Sequence, residues 1–303
     1  MVAILLAGCA SAQSSKLKSQ NNTHSADWDL IKAAYTFAFP LVMMDATATV
    51  STNTVQANSS KAPYNQFIHS SHLADADAKD VVTPNVDIIY KQVFFDLRDD
   101  AYVFHKPAAD RFFSVEMLDF YTNSIAILGI GGDTQDARTY LITAPDFAGE
   151  VPADMTLVSM PANNAWMLAR TDVLNQDDMT SVFDLQSAMK LVPLSAYLEV
   201  GFDYDAPQGT LSSANEFIPI EHVLQMTPEE FFNRANELML TNPPATADAS
   251  TIESFAQIGV GPGLQFDPSV LWQNSNKMLR PQCLVFAGVE WLWALLEVFS
   301  ASN

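Results

Sequence analysis

Apolar positions change their period along the chain. Between residues 26 and 44, Trp28, Ile31, Ala34, Tyr35 and Ala38 recur at helical spacing. Ser25 or Asp27 is placed to cap that helix, and Pro40 is expected to kink or end it. Residues 45–80 carry Asn, Ser, Thr and Asp without periodicity and read as a long ordered loop. From 81 to 170 short β-rich runs recur, at 86–96, 101–106, 112–119, 124–129, 138–143, 155–159 and 165–170. Alternation is clear in Tyr102-Val103-Phe104-His105. Turn signals at Arg98-Asp99-Asp100, Gly131-Gly132-Asp133 and Pro145-Asp146 separate the runs. This spacing predicts an antiparallel sandwich rather than βαβ units.

Helical signals then return. Residues 177–190 place Met179, Val182, Phe183, Leu185 and Met189 on a helix. Thr227-Pro228-Glu229-Glu230 combines a cap, a proline at the first helical position and the closing glutamate of a capping box. A shorter helix at 249–258 ends at Gly259, and Gly261-Pro262-Gly263 forces a turn. The fold class expected is mainly β with helical additions (α+β): an antiparallel β-sandwich flanked by N-terminal and C-terminal helices. Residues 1–26 form a leader and tether, 27–268 a single domain, and 269–303 an apolar tail. With Glu290 and Glu297 inside it, that tail falls short of the roughly 20 apolar residues a membrane span needs.

Composition changes the picture in one respect. The chain has 303 residues, 49% of them hydrophobic, with 15 Lys and Arg against 35 Asp and Glu, for a net charge of −20. That charge opposes nucleic acid and anionic lipid surfaces, so neither is expected as a partner. The first residues, Met-Val-Ala-Ile-Leu-Leu-Ala-Gly-Cys, end in Leu6-Ala7-Gly8-Cys9, which resembles a bacterial lipobox whose cysteine is lipidated. Ala10-Ser11-Ala12 also fits an ordinary signal-peptide cleavage site. There is no cationic region before the apolar run. The Ser, Gln, Asn and Lys of residues 11–26 suit a flexible tether. The expected address is the periplasm or the outer membrane, with membrane contact through the lipid at Cys9. Cys283 is then unpaired, so no internal disulfide is expected.

Candidate chemistry concentrates between Asn85 and Asn123, where polar residues interrupt runs that otherwise look buried. A buried carboxylate or amide needs a partner. Asn85 and Asp87 share a strand face, as do Asp119, Tyr121 and Asn123. Arg111 can pair bidentately with Asp119 or Asp87. Two carboxylates in one half-buried pocket push one pKa up, as acid–base work requires, so Asp87 and Asp119 are the catalytic candidates. The expected pocket gathers Asn85, Asp87, Tyr90, Arg111, Asp119, Tyr121 and Asn123. His69 and His72 would share a helix face, with Asp75 and Asp77 close behind, so His69 is the candidate ligand for a divalent metal. No CxxC, HExxH, GxSxG or Walker pattern is present, and no motif names a cofactor.

A series of motifs adds a resemblance. Ala34-Tyr35 and Pro40-Leu41 are followed by Gln66-Phe67-x-His69, Asn85-x-Asp87-x-x-Tyr90, Asp96-Leu97, Arg111-Phe112-Phe113 and Asp119-x-Tyr121-Thr122-Asn123. Tyr140-Leu141-Ile142, the run from Pro161 to Arg170, and Ile258-Gly259-x-Gly261-Pro262-Gly263 complete it. Over residues 28–268 the chain resembles bacterial proteins of the family called domain of unknown function 1254. The resemblance implies a small β-sandwich with helical additions, followed by a second, jelly-roll-like domain. Residues 269–303 are too few for that domain, so the tail reads as truncated. Leu128-Gly129-Ile130-Gly131-Gly132 stands where relatives carry Arg and Thr-Gly. The function expected is an envelope protein binding a small polar molecule in a pocket at one end of the sandwich. The residues leave two alternatives open: a hydrolase using the Asp pair or a metal, and a truncated product without function.

Overall fold

The computed structural model describes residues 5–73 and 85–272, with only the backbone considered for 5–27, 176, 271 and 272. In chain order the elements are α1 (Leu5–Ser51), β1 (Ile68–His69), β2 (Ile88–Asp96), β3 (Tyr102–Lys106), β4 (Phe113–Asp119), β5 (Ser124–Gly129), β6 (Arg138–Thr143), β7 (Met155–Ser159) and β8 (Asn164–Asp172). There follow α2 (Met179–Ala188), β9 (Lys190–Pro193), α3 (Leu194–Val200), α4 (Pro219–Gln225), α5 (Pro228–Thr241), α6 (Ala249–Phe255) and α7 (Ser269–Trp272).

The strands form two sheets. Sheet A has the order β1-β2-β8-β4-β5, and sheet B the order β7-β6-β3-β9. Every pairing is antiparallel except that of β6 with β7, which is parallel. Each expected strand is present. Alternation sends Val93, Phe95, Val115, Met117, Met167 and Ala169 of sheet A inward against Phe104, Tyr140 and Ile142 of sheet B, in one shared core. The outer face of sheet A places Phe94 and Trp166 under a helical layer of α1, α4, α5 and α6. The outer face of sheet B is covered from Leu194 to Tyr204.

Four expectations about elements change. The first helix does not stop at Pro40 but continues to Ser51. Phe39, Leu41 and Val42 on either side are fully buried. Burying each such side chain contributes about 1.5–3 kcal/mol, which outweighs the roughly 3 kcal/mol cost of a helical proline. Arg234 of α5 pins the last turns through both oxygens of Asp45, at 2.7 and 2.9 Å. At its other end the helix takes in residues 11–26, where composition suggested a tether. The stretch Trp28–Ser51 is long and apolar enough to cross a membrane by length and composition; here its apolar side lies in the helical core. The loop expected over 45–80 contains the end of α1 and the two-residue strand β1. The helix expected over 177–190 ends at Ala188, and Lys190 begins a strand beside β3. The apolar tail beyond 272, with Cys283, lies outside the described residues, as do Asp75 and Asp77. So does the side chain of Cys9.

Candidate functional site: the outer face of sheet A

Register separates the residues that were expected to converge. β2 and β4 both flank β8. Asp87 precedes β2 and its carbonyl accepts the N–H of Val173, while Asp119 pairs with Ala165 at the far end of β8. From Ala165 to Val173 at about 3.3 Å per residue is roughly 26 Å. The two carboxylates are therefore no acid–base pair. Asp87 is exposed. Asp119 serves its own turn: its oxygens accept the backbone N–H and the side-chain amide of Asn123, each at 2.9 Å. Burial raises its pKa, and the bonds from Asn123 oppose that shift. Thr122, at φ 64°, completes the turn. Tyr121 donates to the carbonyl of Asn242 at 3.1 Å and fastens this end of the sheet to α5.

Arg111 pairs with neither expected aspartate. Its guanidinium meets Asp178, just before α2, at 2.5 Å, and the exposed Asp110 at 3.7 Å. The Arg111 bond holds the Asp178 carboxyl below its ordinary range. His69 and His72 do not share a helix face, since one lies in β1 and the other in a loop. Among the described residues no group of three His, Cys, Asp or Glu side chains gathers as a metal site.

What the sheet does bring together is a different polar group. On its outer face, away from the shared core, Tyr90, Arg170 and Ser114 lie on one rung across β2, β8 and β4, and Gln92, Leu168 and Glu116 lie on the next. Arg170 donates to Glu116 at 2.8 Å, with the two residues only 8% and 7% exposed. Asn85 donates to the Tyr90 hydroxyl at 3.1 Å, and burial raises the Tyr90 pKa. The indole N–H of Trp166 donates to Gln92 at 3.1 Å, and the Trp166 ring stacks on Phe94. Of the residues expected from the sequence, only Asn85 and Tyr90 belong here. Gln92, Ser114, Glu116 and Arg170 were missed, although each alternates along its strand with the inward apolar residues, such as Val93, Val115 and Ala169. Chemically, a guanidinium, a carboxylate, a phenol and an amide within two rungs can orient a small molecule carrying both donors and acceptors.

The comparisons with known proteins bear on this segment. Residues 64–193 match the DUF1254 family. That family is described as a protein of unknown function. The matched segment takes in all nine described strands and ends with β9. It is narrower than the motif series, which extends into the helices on either side. Among solved structures, the VPA0106 protein from Vibrio parahaemolyticus is similar at a TM-score of 0.57 and 19% identity, over 91% of this chain and 60% of that one. The likeness shows the fold, and the chain spans 60% of that protein's length. An uncharacterized protein from Burkholderia cenocepacia is similar at 14% identity and a TM-score of 0.26, over 38% of this chain and 32% of that one. No curated protein matches.

Proposed function

We propose that the protein is a binding module of the cell envelope, which holds a small polar ligand against the outer face of sheet A. The observation that carries this reading is the buried Arg170–Glu116 pair. Charges removed from water on a sheet face are costly unless a defined set of partners repays the loss of hydration. Here Tyr90, Gln92 and Ser114 stand beside them on the same two rungs. A guanidinium is suited to a carboxylate or phosphate oxygen, and a phenol to a ligand that pairs an apolar face with a polar edge. The envelope address rests on Leu6-Ala7-Gly8-Cys9. Replacing Cys9 with Ser should release the protein from the membrane fraction, and unchanged fractionation removes that part of the reading.

The binding test is a thermal-shift screen of purified protein against amino acids, dicarboxylates, sugars and their phosphates, followed by calorimetry. A ligand of this site raises Tm, and Tyr90→Phe and Gln92→Ala each weaken it by about 1 kcal/mol or more through a lost hydrogen bond. Asp87→Asn, at the exposed start of β2, should leave binding unchanged. A ligand lost on Asp87→Asn but indifferent to Tyr90→Phe moves the site elsewhere. A screen without any response removes the reading.

A further inference from the structure

Sheet B carries a polar group of its own on the face turned away from the shared core. Most of that face is apolar. Val103, Leu141 and Val192 form one rung across β3, β6 and β9, under the cover that runs from Leu194 to Tyr204. Two residues along each strand, the same face presents Lys190, His105 and Thr139, with His105 directly opposite both of the others. Neighbouring strands stand about 4.8 Å apart. Three side chains able to donate hydrogen bonds therefore lie side by side over roughly 10 Å.

The charges around this rung differ from those elsewhere in the molecule. Every described arginine has a carboxylate partner. Lys190 is exposed, and among the described residues no carboxylate pairs with it. The charged groups acting on His105 are Lys106 of its own strand and Lys190 of β9, both cationic. Like charges directly opposite each other on paired strands are unfavourable. Burial first, then Lys106 and Lys190, lower the His105 pKa, so the ring is neutral at pH 7 and keeps one N–H to donate. In a chain of net charge −20, this rung offers an anion a free ammonium and two neutral donors.

The rung is open at one side and walled at another. β9 is the edge strand of sheet B, so Lys190 is exposed and His105 only half-buried. The Phe202 ring lies 6.0 Å from the His105 ring, and Tyr197 meets Phe202 edge-on at 5.0 Å, which holds the phenyl in place. His105 Nδ1 and the Thr139 hydroxyl are 3.3 Å apart. When that hydroxyl donates to Nδ1, the ring hydrogen sits on Nε2 and is free for a ligand.

We propose that Lys190, His105 and Thr139, walled by Phe202, form a binding site for a small aromatic carboxylate. The Lys190 ammonium and the His105 Nε2–H donate to the carboxylate oxygens, and the ligand's ring packs on Phe202. Thr139 fixes the imidazole in the orientation that serves the ligand. The anion relieves the crowding of cations, and the phenyl wall favours a ring over a bare acetate.

The experiment follows the ring signals of His105 by NMR in the full histidine-labelled chain, assigned with His105→Gln, as benzoate is added. The signals should shift and saturate by about 10 mM benzoate. The His105 pKa should rise in the complex, because a bound anion favours imidazolium. Acetate lacks the ring and benzamide lacks the charge, so each should bind at least about fivefold more weakly. Lys190→Met should weaken benzoate roughly tenfold, whereas Lys61→Met, the same change of charge elsewhere, should leave it within about twofold. Phe202→Leu should bring benzoate down to the level of acetate while a cooperative thermal transition shows the fold intact. Signals that do not saturate, or benzoate binding that survives Lys190→Met, overturn the site. Equal affinity for acetate and benzoate overturns the part given to Phe202. Ligand binding on the outer face of sheet A is read separately, through Tyr90→Phe, so the two readings fail independently.

Discussion

On the outer face of sheet A, Arg170 and Glu116 are buried together at 2.8 Å, with Tyr90, Gln92 and Ser114 beside them. On the inner face, one residue along β2 from Tyr90, Lys91 is buried more deeply, with one backbone carbonyl and one aromatic ring for company. Strand β2 contributes to both settings. Both charges lose their water. On the outer face each member of the pair offsets part of the hydration the other has lost. On the inner face the easier course is for the amine to give up its proton. Burial thus leaves an ion pair on one side of the sheet and an amine of lowered pKa on the other, and what separates them is a carboxylate within reach.

The largest expected effect comes from breaking the pair. Glu116 has Arg170 as its hydrogen-bond partner. Arg170→Met leaves a carboxylate that is 7% exposed without its counter-charge. That should cost about 3 kcal/mol of unfolding free energy at pH 7, measured by urea denaturation. Replacing both residues, as Arg170→Met with Glu116→Leu, should recover most of the loss, because no uncompensated charge remains. A single variant as stable as the parent would mean that the outer pair is hydrated after all, and the contrast between the faces would collapse.

How far all this could be read from the sequence follows the range of the forces involved. The strands were legible because inward positions such as Val93, Phe95, Val115 and Met117 alternate locally with others. The capping box of α5 was legible because it closes within one turn: the Thr227 hydroxyl accepts the N–H of Glu230 at 3.2 Å, and the Glu230 carboxylate accepts the N–H of Thr227 at 2.7 Å. The persistence of α1 past Pro40 was not legible, since it depends on what Phe39 and Leu41 are packed against. The site was mostly hidden. Asp87 and Asp119 both drew notice as acids in β-rich runs, but β8 between their strands holds them at its two ends. Arg111 finds Asp178 at a sequence distance of 67, which only the closed fold brings near. Glu116 and Arg170 stand 54 residues apart in sequence, and only sheet register sets them on neighbouring rungs.

The second expected effect belongs to the inner face and carries a definite sign. The folded pKa of Lys91, about 7, lies below the 10.5 of the unfolded chain. Between those values the unfolded state binds a proton that the folded state lacks, so stability rises with pH. Below about 7 both states are protonated and the full penalty of the buried charge is present. From pH 7 to 9.5 this one group should add up to about 1.4 kcal/mol per pH unit. Lys91→Met fills the same space without a charge. It should flatten that slope and raise stability at pH 7 by about 1–2 kcal/mol. A slope that survives the substitution would assign the titration to another group.

The smallest expected effect tests how dry the inner face is. Thr171 lies on β8 between Ile89 and Phe113 and is 1% exposed, and its hydroxyl has no hydrogen-bond partner among the described residues. On the same face, the neighbouring rung pairs Ala169 with Lys91. A buried hydroxyl without a partner has lost its bonds to water and gained none. Thr171→Val keeps the branched shape and removes the oxygen, so it should stabilise the fold by about 1 kcal/mol, read as a rise in Tm. It should also leave the pH slope from Lys91 in place, since an apolar neighbour keeps the amine just as dry. Destabilisation on Thr171→Val would show that the hydroxyl is bonded in solution, through water reaching the space near Lys91. The inner face would then be wet, and the depressed pKa of Lys91 would lose its cause.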